Sequence, residues 1–128
     1  MPTADEIRAS VEAYIAAVNA NDKDTFLDRF APDAVWHDPV GAPPHVGRQG
    51  IGAFWDQTRT MARRFEMIID DLVVCGEEAA VRLRIQVDFD GGSMEMDVIE
   101  IFLAGPDGRF TEVKAYWDMA REIGRAHV

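Results

Sequence analysis

A chain of 128 residues that is 48% hydrophobic and 28% charged has the size and composition of one globular domain around a single core. Its 13 Lys and Arg against 23 Asp and Glu give a formal charge of -10, which argues against nucleic acid or an anionic membrane surface as a partner. Cys75 stands alone and so has no intrachain disulfide partner; with no basic leader and no apolar run near the roughly 18 residues of a membrane span, a cytoplasmic protein is expected.

Thr3-Ala4-Asp5-Glu6 has the spacing of a capping box and predicts a helix start. Ile7, Val11, Tyr14, Ile15 and Val18 then recur at helical spacing, which turns the Tyr14 phenol inwards. A buried phenol needs a partner, either a backbone carbonyl of the core or a group in a catalytic site. After the polar turn Asn19–Asp24, the residues Phe26, Leu27 and Phe30 predict a short second helix ending before Pro32.

Ala34-Val35-Trp36-His37-Asp38-Pro39 predicts a strand that stops at Asp38, because Pro39 has no N–H for a ladder and biases Asp38 towards extended backbone. Alternation places Ala34, Trp36 and Asp38 on one face, a candidate pocket wall, while His37 points away to solvent or onto a helix. Asp38 reads either as a turn residue accepting backbone N–H bonds or as a carboxylate with chemistry to do. Residues 41 to 50, with Pro43 and Pro44, predict a loop that covers a pocket mouth, and Ile51, Phe54, Trp55 and Thr58 a third helix to about Arg63.

The period then changes to two. Phe65 to Cys75 reads as a strand interrupted at Asp70-Asp71, with Cys75 buried on it. Val81, Leu83, Ile85, Val87 and Phe89 alternate with Arg82, Arg84, Gln86, Asp88 and Asp90, a one-sided antiparallel strand whose arginines face solvent. Beyond the Asp90–Ser93 turn, Met94, Met96, Val98, Glu100 and Phe102 share a face, so Glu100 is a lone carboxyl among large apolar neighbours. It is either salt-bridged or held neutral by desolvation. The last strand is expected to put Thr111, Val113, Ala115, Trp117 and Met119 on one face, ahead of a polar, frayed tail from Arg121. His37, Asp38 and His45 lack a recognised metal-ligand spacing, and no metal is expected. Three early helices followed by antiparallel strands make an α+β domain over residues 1–128, helices packed on one side of a curved sheet.

Several stretches carry a resemblance. Ala13-Tyr14-Ile15-Ala16-Ala17-Val18-Asn19-Ala20, then Ala31-Pro32-Asp33-Ala34-Val35-Trp36-His37-Asp38-Pro39-Val40-Gly41, Ile51-Gly52-Ala53-Phe54-Trp55, Asp97-Val98-Ile99-Glu100 and Ala115-Tyr116-Trp117 resemble the bacterial ketosteroid isomerases of the NTF2-like superfamily. The resemblance runs essentially end to end and implies a cone of about three N-terminal helices on a strongly curved, mostly antiparallel sheet. It implies a cofactor-free homodimer that isomerises a 3-oxosteroid, a small apolar ring substrate, with Asp38 as general base and Tyr14 and a neutral Glu100 as oxyanion donors. One ionised and one protonated carboxyl in a single site is an arrangement already known for this family.

Two positions depart from the family pattern. Glu100 stands where the best-known members have aspartic acid, and Trp55 where many have a tyrosine that supports the oxyanion tyrosine. Trp117 is similar to an indole found beside the base in some members. A substrate slot involving Trp55, Val98, Phe102, Trp117 and Met119 follows from the resemblance. The scaffold also hosts cyclases, dehydratases and non-catalytic ligand-binding or dimerisation modules, which stay open alternatives at this point.

Overall fold

The computed structural model describes residues 1–122 and 126–127. Thr3 opens the first helix as the capping box requires: its Oγ1 accepts from the Glu6 N–H at 3.1 Å, and Glu6 Oε1 accepts from the Thr3 N–H at 3.0 Å. Helix α1 (Ala4–Asn19) buries Ile7, Val11, Tyr14, Ile15 and Val18, the stripe read from the spacing. Asp22 caps α2 (Lys23–Asp28), which buries Phe26. Strand β1 (Phe30–His37) then leads to Asp38, and the Asp38–Pro39 peptide bond is cis.

Next come β2 (His45–Val46), α3 (Gly47–Met61), β3 (Arg64–Cys75), β4 (Glu78–Phe89), β5 (Gly92–Ala104), β6 (Phe110–Tyr116), α4 (Met119–Glu122) and β7 (Ala126–His127). Six strands form a mixed sheet in the order β2-β1-β6-β5-β4-β3, and β7 pairs with β5. All pairs are antiparallel except β1 with β6, which run parallel. The helices cover one sheet face, and one cluster of buried side chains from α1, α2, α3 and the sheet forms the core. No helix among the described residues is long and apolar enough to cross a membrane.

The structure corrects several local expectations. Phe30 belongs to β1 and not to the second helix, and the supposed loop from 41 to 50 holds β2 and the first turn of α3. Asp70-Asp71 does not interrupt β3; the strand absorbs it as a register shift between Ile69 and Asp71. A fourth helix, α4, follows the last long strand, so Met119 lies on a helix and not on the strand face. Thr111 is exposed, because a bulge opposite Leu103/Ala104 turns it out and leaves Phe110 buried. Cys75 is exposed rather than buried, since its place on the outward side of β3 meets no covering element. The tail expected to fray beyond Arg121 falls partly outside the described residues; within them, residues up to Glu122 are helical and 126–127 pair with β5.

Candidate active site

Asp38 is the first residue past β1, and the alternation that buries Ala34 and Trp36 turns its carboxylate onto the same face. The segment is fastened by the Val40 N–H, which donates to the Ala115 carbonyl at 2.9 Å. Because β1 and β6 run parallel, the residues just past both strand ends meet, and the Trp117 Nε1–H donates to Asp38 Oδ1 at 2.7 Å. Burial pushes the Asp38 carboxyl up to about 6, and the indole bond works against that rise. An indole can donate but not accept, so Trp117 holds the ionised form of Asp38 and leaves Oδ2 for other work.

Glu100 lies in register between Val81 of β4 and Ala115 of β6, and is 2% exposed. Arg82 and Arg84 point to the opposite, solvent face, so no cation meets it from β4. Burial first and the nearby Asp38 charge second raise Glu100 to about 8, with the Tyr14 bond opposing. The Tyr14 O–H donates to Glu100 Oε2 across 3.5 Å, a long bond with room to tighten, and Glu100 Oε1 has no partner among the described residues. A neutral acid fits that environment: one oxygen accepts from Tyr14 and the other can carry a proton for donation.

Tyr14 is fully buried, and its ring is fixed by Phe26 and Phe102 at 5.0 Å, Phe30 at 6.1 Å and Phe110 at 6.2 Å between centroids. Its phenol is raised well above the usual value by burial, then by the charges of Glu100 and Asp38, so it acts as a donor. Trp55 does not take the place of a supporting tyrosine by hydrogen bonding. It reaches Tyr14 through Phe26, whose ring lies 4.6 Å from the indole.

Tyr14, Asp38 and Glu100 all line one cavity of about 580 Å³, within the range of small-molecule sites. Of the side chains expected to form its slot, Trp55, Val98, Trp117 and Met119 line it. Phe102 does not: it is completely buried beneath Tyr14, where it supports the phenol from behind. Met94 and Met96 join the wall, as do Trp36, Phe54 and Phe65. Arg59 also lines the cavity, a residue that no sequence motif marks. The available signal was its spacing of four from Trp55 and eight from Ile51, which puts it on the buried face of α3.

The histidines go elsewhere. His37 Nε2 lies 2.8 Å from Glu112 Oε2 on β6, and His45 stacks on Phe54 with centroids 4.0 Å apart. His37 thus turns away from Asp38 and stays partly exposed to solvent, held by a strand neighbour and not by a helix.

A curved mixed sheet wrapped on one face by helices, with a deep apolar cavity floored by a phenol and two carboxyls, defines a class. Residues 11–113 match the SnoaL-like domain, and the chain belongs to that family of NTF2-like proteins. It is 28% identical over 112 residues to the steroid Δ-isomerase of Nocardioides simplex, across 88% of this chain and 89% of that protein. An LEH-like epoxide hydrolase of M. tuberculosis superposes with a TM-score of 0.85 at 21% identity, over 96% of this chain and 90% of that one. SalBIII, an epoxide hydrolase/cyclase-like enzyme in pyran ring formation in polyether salinomycin, superposes at 0.86 and 21% identity, over 100% and 99%. At such identity these two structures speak for the fold alone.

Proposed function

We propose that this protein is a steroid Δ5–Δ4 isomerase, moving a carbon–carbon double bond into conjugation with a 3-ketone. The observation that carries this reading is one apolar cavity holding two carboxyls of opposite tendency: Asp38 ionises at about 6 while Glu100 keeps its proton to about 8. Between those values the site presents a base beside a pair of neutral donors. That is what enolisation needs, because charge leaves the C–H bond and arrives on the carbonyl oxygen.

The substrate ketone enters between the Tyr14 hydroxyl and the Glu100 carboxyl. Asp38 takes the proton from the carbon between the ketone and the double bond; the C–H pair becomes the dienolate and the negative charge settles on oxygen. The Asp38 carboxylic acid then returns the same proton two carbons along, the dienolate collapses to the conjugated ketone, and Asp38 is again ionised. No other reactant is consumed. The planar ring system lies against Val98, Trp117 and the methionines, which let one carboxylate swing between the two carbons without losing contact. Glu100 has no ion-pair partner among the described residues, which favours this reading over a non-catalytic module.

Exposed Ile68, Val73, Ile99 and Tyr116 on the sheet face away from the helices support pairing of two copies, which sedimentation tests directly. The decisive assay follows the conjugated ketone by ultraviolet absorbance after mixing a 3-oxo-5-ene steroid with the protein or with Asp38→Asn. Conversion that falls by several orders of magnitude in the variant supports both the reaction and its base. Near-normal conversion in the variant removes Asp38 from the role. Binding of a steroid-sized phenol without any conversion by the wild type turns the reading to a cyclase or dehydratase acting on another ring substrate.

A further inference from the structure

Helix α3 stacks Ile51, Trp55 and Arg59 at intervals of four, one above another on the face turned towards the sheet. Ile51 and Trp55 are buried, and Arg59 continues the same row into the cavity wall. Its guanidinium carbon lies 3.6 Å from the Trp55 ring centroid and 4.5 Å from that of Phe65. Its Nε donates to Asn21 Oδ1 at 3.1 Å, and its Nη1 to Thr58 Oγ1 at 3.0 Å. Every one of these partners is neutral.

Among the described residues, no carboxylate forms an ion pair with Arg59, in a chain with a formal charge of -10. Its neighbours in sequence behave otherwise: Arg63 pairs with Asp90 and Arg64 with Glu66. A guanidinium clamped between two rings and two neutral acceptors is a fixed cation in a mostly apolar wall, whose other polar members beyond Tyr14, Asp38 and Glu100 are Thr58, which it bonds, and Asp90, which pairs with Arg63. For a wholly apolar ligand that is the wrong residue. Such a ligand strips water from the cation and returns nothing, where a leucine would simply extend the wall.

The cation is also offset from the reacting end. From the Tyr14 ring the contacts run to Phe26 at 5.0 Å, on to Trp55 at 4.6 Å, and from that indole to the Arg59 guanidinium at 3.6 Å, so two rings stand between the phenol and the cation. We infer that Arg59 is a specificity-determining residue that selects ring ketones bearing a carboxylate on the side chain remote from the reacting ketone. The planar fork of the guanidinium matches a carboxylate in two parallel bonds, and the rings on which it lies keep the fork aimed. This inference rests on the reading of Tyr14, Glu100 and Asp38 as the ketone end.

The test compares a 3-oxo-5-ene steroid acid with its own methyl ester, two substrates that differ only in charge at the far end. Wild type is expected to show a kcat/KM for the acid higher by roughly tenfold or more, and Arg59→Leu to bring the ratio to one or below. Arg59→Lys, which keeps the charge but loses the fork, should fall between. Equal values for acid and ester in the wild type, or a ratio unmoved in Arg59→Leu, overturn the inference. The same pair is then measured as phenolic steroids by fluorescence titration, which needs no turnover. If neither ketone is converted yet the phenolic acid binds about tenfold tighter than its ester only while Arg59 is present, Arg59 keeps its role and the isomerase reading falls. No binding preference for the acid overturns the Arg59 inference by itself, and the wild-type ratio decides even if Arg59→Leu fails to fold.

Discussion

Replacing Glu100 by glutamine tests the site most sharply, because it keeps the shape and a donor while removing one titration. In the wild type, kcat/KM should rise as Asp38 ionises through about 6 and fall as Glu100 ionises through about 8. Beyond the upper limb the neutral fraction of Glu100 drops about tenfold per pH unit, so at two units above it the rate is about a hundredfold below the plateau. Tyr14 is raised well above 10.0 and adds nothing to that limb. In Glu100→Gln the alkaline limb should vanish, since the amide stays a donor at every pH. The acidic limb should stay near 6, because burial and not Glu100 raises Asp38. The plateau itself should fall by less than the roughly 10²–10³ typical for outright loss of an oxyanion donor. Stopped-flow rates from pH 5 to 10 on both proteins give the answer. An alkaline limb that persists unchanged in the variant refutes Glu100 as the titrating acid, and a flat wild-type profile above pH 8 refutes its protonation as a requirement.

Tyr14→Phe removes the other donor and should lose about 2.7–4 kcal/mol of transition-state stabilisation, read as kcat, with little change in binding of a neutral steroid. Trp117→Phe takes away the bond that lowers Asp38, so the acidic limb should move above 6 and activity at pH 6 should suffer more than at pH 8. Folding stability should fall with rising pH, opposite to ordinary acid denaturation. Glu100 binds its proton more tightly folded than unfolded, so its contribution is whole below 4.5 and is lost as pH climbs through about 8, on the order of 5 kcal/mol; urea melts of wild type and Glu100→Gln should diverge over that interval.

Local rules reached far into this site. Pro39 dictates where β1 must stop, alternation along β5 puts Glu100 inward, and the spacing of α1 turns Tyr14 the same way, so the three polar groups were visible before any contact was known. What local rules could not show is how the sheet brings distant parts together. Phe102 shares its face with Glu100, yet it lies under α1 while its neighbours Val98 and Met96 line the cavity. Alternation names the face, and only the packing of helices on that face decides which part stays open. Thr111 failed for a different reason: one extra residue in a bulge reverses the side of what precedes it. Arg59 is hard to place from sequence because a charged residue near a helix end ordinarily faces solvent, and its aromatic partners come from Trp55 on the same helix and from Phe65 on the next strand.

The insertion of β6 between β1 and β5 also governs the order in which this protein can come into being. Asp38 and its indole partner are separated by 79 positions, and the parallel edge that joins their strands cannot close by a simple hairpin. The β3-β4-β5 meander can zip locally as it is synthesised, whereas β1 must wait for residues near 116 before it has a neighbour on that side. Closure of that gap is a long-range step of the slow kind. Asp38 therefore gains its indole bond in the same event that completes the sheet, and a chain stalled before it holds a meander and helices but not the Asp38–Trp117 pair.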